Sequence, residues 1–389
     1  MPVPRRLLLT GYGVAQLRRH IEFALSLGIE VLHVGRAPIY SAAPPARYSF
    51  AQLAECVSED ANLLQSHTAE YQTDLAATSE RLRIIAAEFA PDLTHAVGMD
   101  FLAHACAHAE LQPLIVSAHG FLEYLVYGKQ TNLKERDRTL LSRAAAMLIE
   151  PPMQAELCRT LAPPGLRVYE FCTGVDGRIF RPAMESERNG WRRALRLPAD
   201  ATVMLSSRGW GPTYKHDQVL AAFAQALPNL PTPPYLLFHQ LNRSVRAQEI
   251  TADFERVQAQ TQARGLAEHV RWLPAVPPVS MAMFYNLADI VVSYRIPDTF
   301  PSTVLEALSC ARPVIVPQLA TFRASVIEEH CTRVKPGDVN ALAASMVDLA
   351  RRPPAAEVLA AGRAAVLKKY DVPVVIEKLA EIYAAAIQG

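Results

Sequence analysis

The chain has 389 residues, of which 50% are hydrophobic and 20% charged, and its formal net charge is +1. Two domains with buried cores are expected, because single domains commonly contain about 100–200 residues. The near-neutral charge argues against nucleic acid or an anionic membrane surface as the main partner. No apolar run approaches the roughly 18 residues of a membrane helix, so we expect no integral membrane segment.

The N-terminus and the cysteines favour a cytoplasmic protein. The sequence MPVPRRLLLTGYG has a short apolar run followed by glycine, which is typical of a first strand rather than a signal peptide. The six cysteines form no CxxC pair and predict reduced thiols. In HACAH, His104 and His108 would share a helix face, but no acidic third ligand is nearby, so we expect no metal there.

The first half of the chain alternates short apolar runs with amphipathic stretches. The runs RLLLT, EVLHVG, DLTHAV, PLIVSA and AMLIE predict buried parallel strands. The stretch VAQLRRHIEFALSLG predicts a helix that stops at its glycine. Residues 36–50 predict an exposed loop. This alternation is typical of an α/β fold with right-handed crossovers.

The same pattern restarts in the second half. The runs TVMLSSRG, PYLLFHQ, VRWLPAV, DIVVSY and PVIVP predict a second set of strands. We therefore expect two doubly wound, Rossmann-like domains facing across a cleft, with GVDGRIFRP as the hinge. The predicted domains are residues 1–180 and 181–369, and a helix over about 370–389 is expected to pack back on the first domain.

Open parallel sheets bind ligands beyond the carboxyl ends of their strands, so the loops after predicted strands hold the candidate residues. The stretch PDTFPSTVLEAL is one such loop, and a helix should begin in it near Ser302 or Thr303. Its free N–H groups and positive dipole end suit a phosphate. Glu306 could reach a ribose, and Asp298 could reach sugar hydroxyls. The alternative is structural, with a capping box at Thr303 and Glu306 and a turn at Asp298.

Other candidates follow earlier strands. Arg208 and Lys215 could flank a diphosphate leaving group, although a solvated basic pair is the alternative. His119 could bond a donor sugar hydroxyl, or it could be structural. Gly11 and Gly13 would allow close approach of backbone to a ligand, but the third glycine of a dinucleotide fingerprint is absent, which argues against nicotinamide binding.

Together these residues resemble the retaining family-4 glycosyltransferases of GT-B fold, also called group 1 glycosyl transferases. The run from Asp298 to Glu306, followed by ARPVIV, resembles their E-x7-E region, with an aspartate where the first glutamate usually stands. GVDGRIFRP resembles their interdomain segment, and AHGFLEY their N-domain histidine motif. The resemblance spans most of the chain and is strongest over residues 270–350.

The resemblance implies an enzyme that moves a sugar from a nucleotide-diphosphate sugar to a hydroxyl of a saccharide or small molecule, with retention and without a metal or other cofactor. UDP is the favoured nucleotide, and GDP stays open. Asp298, His119 and Arg208 would be the catalytic group. The implied donor-binding residues are Arg208, Lys215, Val276, Phe300, Pro301, Ser302, Thr303, Glu306, Gly11 and Gly13.

Two departures from the family pattern leave alternatives open. Asp298 is one methylene shorter than glutamate, and Lys215 stands seven residues after Arg208, where the family often has five. A GT-B nucleotide-sugar epimerase, a phosphorylase and a non-catalytic protein that binds a nucleotide or a partner remain alternatives. The sequence does not name the acceptor, and it leaves peripheral membrane contact open.

Overall fold

The computed structural model describes residues 3–11, 14–40, 43–53, 68–118, 135–150, 153–231, 233–239, 248–274 and 276–388. The chain divides into two compact units. The N-terminal unit comprises Met1–Thr173 and Pro373–Gly389, and the C-terminal unit comprises Gly174–Val372. The sequence predicted the division near residue 180.

The N-terminal unit is built on a seven-stranded parallel sheet. Its strands are β1 (Arg6–Thr10), β2 (Glu30–Gly35), β3 (Tyr48–Gln52), β4 (Leu93–Val97), β5 (Leu114–Ser117), β6 (Ala146–Ile149) and β7 (Arg167–Glu170). Their order across the sheet is β3-β2-β1-β4-β5-β6-β7. The central strands are buried on both faces, which explains why they appear in the sequence as continuous apolar runs.

Helices cover this sheet. They are α1 (Val14–Ser26), α2 (Ala69–Phe89), α3 (Phe101–His108), α4 (Glu135–Ser142) and α5 (Met153–Leu161). Helix α1 ends before Gly28, whose φ of 78° makes the turn that the sequence predicted. The side of the sheet against α2 and α3 forms one hydrophobic core that includes Leu8, Val116 and Met147.

The C-terminal unit repeats the architecture with six parallel strands. They are β8 (Thr202–Ser206), β9 (Pro234–His239), β10 (Val270–Leu273), β11 (Ile290–Val292), β12 (Val314–Pro317) and β13 (Thr332–Val334), in the order β10-β9-β8-β11-β12-β13. In both sheets the first strand lies inside and later strands add on either side. This is the doubly wound arrangement, and it confirms the predicted fold class.

The remaining helices follow the second set of strands. They are α6 (Glu185–Ala194), α7 (His216–Ala226), α8 (Gln248–Ala263), α9 (Met281–Leu287), α10 (Ser302–Ser309), α11 (Val326–His330), α12 (Val339–Arg351), α13 (Ala356–Tyr370) and α14 (Val372–Ile387). Helix α14 belongs almost entirely to the N-terminal unit, where the Tyr383 hydroxyl lies 2.8 Å from Nδ1 of His95. None of the described helices is long and apolar enough to cross a membrane.

The sequence prediction missed three edge strands. Residues 36–50 were expected to be a loop, but β3 begins at Tyr48, which pairs with Val31 of β2. Strands β7 and β13 were not predicted either. All three lie at the edge of a sheet and contain partly exposed residues, so none of them shows a continuous apolar run.

Gly11 has a structural explanation in the turn after β1. Its φ is +150°, and a Cβ atom at this position would lie 2.3 Å from the carbonyl oxygen of Val97, at the end of β4. The missing side chain therefore allows two segments of backbone to approach each other. Gly13, the second glycine of the predicted pair, lies outside the described residues.

The HACAH motif lies on α3, as the sequence predicted. His104 is buried, and its Nε2 atom lies 3.3 Å from Oδ1 of Asp137 on α4. Burial raises the pKa of the Cys106 thiol far above its ordinary value, so the sulfur stays protonated. Among the described residues, no group of three His, Cys, Asp or Glu side chains is placed to hold a metal ion.

Two of the buried histidines, His33 and His216, lie one in each unit. His33 lies in β2, with Nδ1 3.0 Å from the hydroxyl oxygen of Tyr48. His216 opens α7, and both side chains are 1% exposed. Burial lowers the pKa of each imidazole to about 4, so both are neutral in the folded protein at neutral pH.

We therefore expect the free energy of unfolding to fall when the pH is lowered from 7 to 5.5. The unfolded chain binds protons near pH 6.5, whereas the folded imidazoles bind them only near pH 4, so unfolding takes up protons in this window. Each histidine should cost about 1 kcal/mol of stability over that range. Urea denaturation at a series of pH values measures this dependence.

The His216→Gln variant should show a shallower pH dependence than the unchanged chain. His108→Gln is the matched control, because it removes an exposed histidine instead of a buried one. Equal slopes for the two variants would contradict the assignment of a neutral, buried His216.

Candidate functional site

The strand order of the C-terminal sheet reverses between β8 and β11, which are neighbours in the sheet. The loops after these two strands therefore meet at one point of the carboxyl edge. The backbone N–H of Ile296 donates a 2.8 Å hydrogen bond to the carbonyl oxygen of Thr213, which joins the two loops directly. Open α/β sheets bind their ligands at such a reversal point.

An aromatic anchor shapes the loop after β8. Trp210 is 7% exposed and packs against Phe238, Phe254 and Trp272, and its Nε1–H donates to the carbonyl oxygen of His239 at 2.8 Å. A short 3-10 turn, Pro212–Tyr214, follows. Trp210 therefore fixes the position of the loop, in which Arg208 precedes it and Lys215 follows it.

His216 closes the same loop with two hydrogen bonds. Its Nε2 lies 2.6 Å from the carbonyl oxygen of Gly209, which can only accept, so Nε2 carries the proton. The Nδ1 atom then accepts from the hydroxyl of Ser206, 3.0 Å away. A neutral imidazole thus holds both ends of the loop, which agrees with its lowered pKa of about 4.

Asp298 lies between two guanidinium groups. Its Oδ1 accepts hydrogen bonds from Nη2 of Arg208 and Nη1 of Arg295, both at 3.2 Å. The side chains of Arg208 and Arg295 are 10% and 19% exposed, and that of Asp298 is 2% exposed. The cluster therefore carries two positive charges and one negative charge with little access to water.

Tyr214 holds the two arginines together. The Cζ atoms of Arg208 and Arg295 lie 5.5 and 5.4 Å from the centroid of its ring. Cation–π attraction at such distances contributes about 0.5–1 kcal/mol at an exposed site and more where water is excluded. The 3-10 turn thus places an aromatic ring where it orders both cations.

Helix α10 begins at Ser302, which confirms the predicted start. Pro301 is the N-cap residue, and no side chain caps the first turn. Among the described residues, therefore, no side-chain cap satisfies the N-terminal N–H groups at the positive end of the helix dipole. Arg208 donates from Nη1 to Oγ1 of Thr303 at 2.9 Å, which places its guanidinium beside this first turn. Anions bind readily to such an arrangement.

The capping-box alternative is wrong. Thr303 lies inside the helix rather than at its N-cap, and its hydroxyl accepts from Arg208. Glu306 instead accepts a 2.8 Å hydrogen bond at Oε2 from the hydroxyl of Tyr285 on α9. Burial, and then the neighbouring Glu306, hold the pKa of Tyr285 well above its ordinary value, so the phenol remains the donor.

The structure brings only some of the predicted residues together. Arg208, Asp298 and Thr303 are joined by hydrogen bonds, and Pro301 and Ser302 belong to the same helix start. The remaining predicted donor residues of this unit, which are described but not joined to that network, are Lys215, Val276, Phe300 and Glu306. Lys215 shares the loop of Arg208, and Phe300 is buried with its ring 5.3 Å from that of Tyr370.

Two predicted residues, Val276 and Gly11, lie away from this network, and two others are not described. Val276 follows β10, which β9 separates from β8 in the sheet. His119 falls outside the described residues, as does Gly13, and Gly11 belongs to the N-terminal unit.

Sequence reasoning missed Arg295 and Tyr214. Arg295 stands three residues before Asp298 in the same loop after a strand, so its position was a usable signal. Tyr214 stands beside Lys215, but nothing in the sequence indicates that its ring faces two arginines. That contact depends on the 3-10 turn.

Comparisons with known proteins find similarity to glycosyltransferases. Residues 187–362 match the family model of the glycosyl transferases group 1. A D-inositol 3-phosphate glycosyltransferase of Thermobispora bispora is 27% identical over 243 residues, which is 60% of this chain and 54% of that protein. The chain thus spans about half the length of this curated relative.

Solved structures share the fold over nearly the whole chain. Sucrose-phosphate synthase of Thermosynechococcus elongatus superposes with a TM-score of 0.79 at 18% identity and covers 98% of both chains. The Anabaena protein HepE, solved in complex with UDP-glucose, gives a TM-score of 0.69 at 14% identity and covers 98% of this chain and 99% of its own. With the two doubly wound sheets, these likenesses show that the chain has the fold of these glycosyltransferases, GT-B, and that residues 187–362 are similar to the group 1 glycosyl transferases.

Proposed function

We propose that this chain is a glycosyltransferase whose C-terminal unit binds a nucleotide-diphosphate sugar at the carboxyl edge between β8 and β11. The observation that carries the proposal is the position of Arg208 beside the first turn of α10, at the point where the strand order reverses. A guanidinium and a helix N-terminus on one anion supply the positive charge that a diphosphate leaving group needs.

The remaining donor contacts follow from this placement. Lys215 lies in the loop of Arg208 and would approach the diphosphate from that side. Glu306 would bind the ribose, with Oε2 oriented by Tyr285. The base would lie near Val276. UDP is the favoured nucleotide, a choice supported by the protein of like fold whose complex contains UDP-glucose.

The proposed reaction retains the configuration at the anomeric carbon. The bond from that carbon to the diphosphate oxygen breaks, and a bond to the acceptor oxygen forms on the same face. The acceptor proton passes to an oxygen of the leaving diphosphate, so no carboxylate nucleophile is needed. Arg208 stabilises the negative charge that develops on the leaving group, and the step uses no metal. The acceptor is a hydroxyl of a saccharide or small molecule.

Asp298 has a different task in this proposal from the one that the family resemblance implies. It is 2% exposed and bonded to two arginines, so it orders cations rather than contacting the sugar. Because Asp298 interacts with Arg295 as well as with Arg208, it neutralises less of the positive charge of Arg208. More of that charge can then act on the diphosphate. Arg295 is therefore a positioning residue that acts through Asp298.

The burial of Asp298 also favours a second candidate, a non-catalytic protein that binds a nucleotide. Such a protein would bind a nucleoside diphosphate without turning over its sugar conjugate. An epimerase would convert the donor without any acceptor, and a phosphorylase would require inorganic phosphate. These outcomes are distinguished by the same assay, the release of nucleoside diphosphate with and without acceptors.

Arg208→Ala should lower acceptor-dependent release of nucleoside diphosphate about 100-fold, because removing one preorganised donor to a developing anion costs about that much. The assay uses UDP-sugars and GDP-sugars with a panel of hydroxyl acceptors, with and without a chelator. Arg178→Ala is the matched control, because the Arg178 side chain is 81% exposed and should leave turnover unchanged.

Unchanged turnover in Arg208→Ala would reject the proposed site. Tight nucleotide binding without turnover across the whole acceptor panel would favour the non-catalytic candidate. A requirement for a divalent ion, revealed by the chelator, would reject the metal-independent step.

The charge sharing at Asp298 predicts a coupling between two variants. Arg295→Gln should weaken binding of UDP about tenfold, because Asp298 would then neutralise Arg208 alone. In an Asp298→Asn background the same change should cost less than about threefold, a coupling near 1 kcal/mol. Isothermal titration of UDP into the four proteins measures it.

Uridine serves as the internal control, since it lacks phosphate and its affinity should be the same in all four proteins. An equal loss of UDP affinity in both backgrounds would mean that Arg295 attracts the diphosphate directly, and the positioning role would be wrong.

A further inference from the structure

A cationic cavity lies in the C-terminal unit, at the opposite end of the strands from the proposed donor site. It has a volume of about 380 Å³ and is lined by three arginines, Arg188, Arg192 and Arg312, and two aspartates, Asp200 and Asp289. Thr202 opens β8, Asp289 precedes β11 and Pro313 precedes β12, so the cavity lies at the amino ends of these strands. The donor site lies at their carboxyl ends.

Asp289 already has two partners. It forms ion pairs with Arg188 through Oδ1 and with Arg192 through Oδ2, the latter at 2.9 Å. Arg192 also donates to the carbonyl oxygens of Ala199 and Leu287, at 3.1 and 3.0 Å. This part of the cluster is well satisfied and attaches α6 to the sheet.

Arg312 lacks such a partner. Within the described part of the chain its hydrogen bonds are long and go to neutral oxygens, 3.5 Å to the carbonyl of Ala288 and 3.4 Å to Oδ1 of Asn286. Its Nε is buried and has no hydrogen-bond acceptor, and among the described residues no carboxylate forms an ion pair with it. A partly buried cation without a counter-charge is costly, and a bound anion would offset that cost.

The pKa of Arg312 also indicates that its positive charge is not fully compensated. Burial lowers its pKa, and repulsion from Arg188 lowers it further, ahead of the opposing attraction of Asp289. Burial also lowers the pKa of Arg192. The three arginines of this cavity therefore carry more positive charge than its two aspartates neutralise. Of the two aspartates, Asp200 is exposed and Asp289 is the one that forms ion pairs.

We propose that this cavity is a binding site for a small phosphorylated molecule, held by Arg188 and Arg312 and independent of the donor nucleotide. Guanidinium groups present forked N–H donors that match phosphate oxygens. The volume lies within the range of small-molecule sites, about 300–1,000 Å³, and exceeds what a bare phosphate needs. The site therefore takes a phosphate monoester in preference to the free ion.

Calorimetric titration with inorganic phosphate and with glycerol phosphate tests the proposal on the whole chain. Both should bind, glycerol phosphate more tightly, and Arg312→Gln should weaken each at least tenfold. Arg208→Ala disables the proposed donor site and should leave this binding in place. Binding that disappears in Arg208→Ala, or that survives intact in Arg312→Gln, overturns the proposal, as does no binding to the unchanged chain.

Asp200→Asn gives a test that does not depend on a buried side chain. Removing this exposed carboxylate from the cavity should tighten phosphate binding about threefold, whereas a purely structural arginine cluster would show no change. Because the readout is binding rather than glycosyl transfer, this site can fail while the proposed enzyme activity stands, and the reverse also holds.

Discussion

The sharing of one buried carboxylate by two arginines is the interaction on which the candidate site depends. Asp298 fixes Arg208 and Arg295 at the meeting point of two loops, and a carboxylate buried this deeply requires such partners. Without this carboxylate, the positive charges of Arg208 and Arg295 would lie side by side with little screening by water. The cluster orders the loop after β11 and the loop after β8 at the same time, and it leaves one unit of positive charge beside the start of α10.

The supporting elements explain how the chain tolerates that cluster. Trp210 fills an aromatic core, and the neutral His216 ties Ser206 to Gly209. These contacts are short-range packing and neutral hydrogen bonds. They position the loop that contains Arg208 without adding further charged groups to the cluster. The loop is therefore anchored by hydrogen bonds that involve Ser206, Gly209 and Trp210.

Most of the fold could be predicted from the sequence, and the reasons are physical. Strands buried on both faces must be apolar, so β1, β4 and β8 were found from their composition. Edge strands such as β3 bury only part of their surface, so their sequences contain no continuous apolar run. At the site, the start of α10 and the neighbourhood of Arg208 and Asp298 were predictable, because loops after parallel strands meet at one edge.

The partners of each side chain were not predictable in this way. The bonds of Thr303 to Arg208 and of Glu306 to Tyr285 depend on tertiary packing, which overrides the local capping pattern. The role of Arg295 depends on the shape of a loop that contains a 3-10 turn. Local propensity carries no information about either.

Lys215 combines two properties that evolution or design could separate. Its backbone is left-handed, with φ 48°, at the residue that precedes α7, and its side chain adds a positive charge to the loop that also contains Arg208. Glycine or asparagine would suit that backbone better than lysine does, whereas valine or isoleucine would not. A relative with glycine here would keep the turn and lose the cation, so the shape of the loop and its charge can vary independently at a single position.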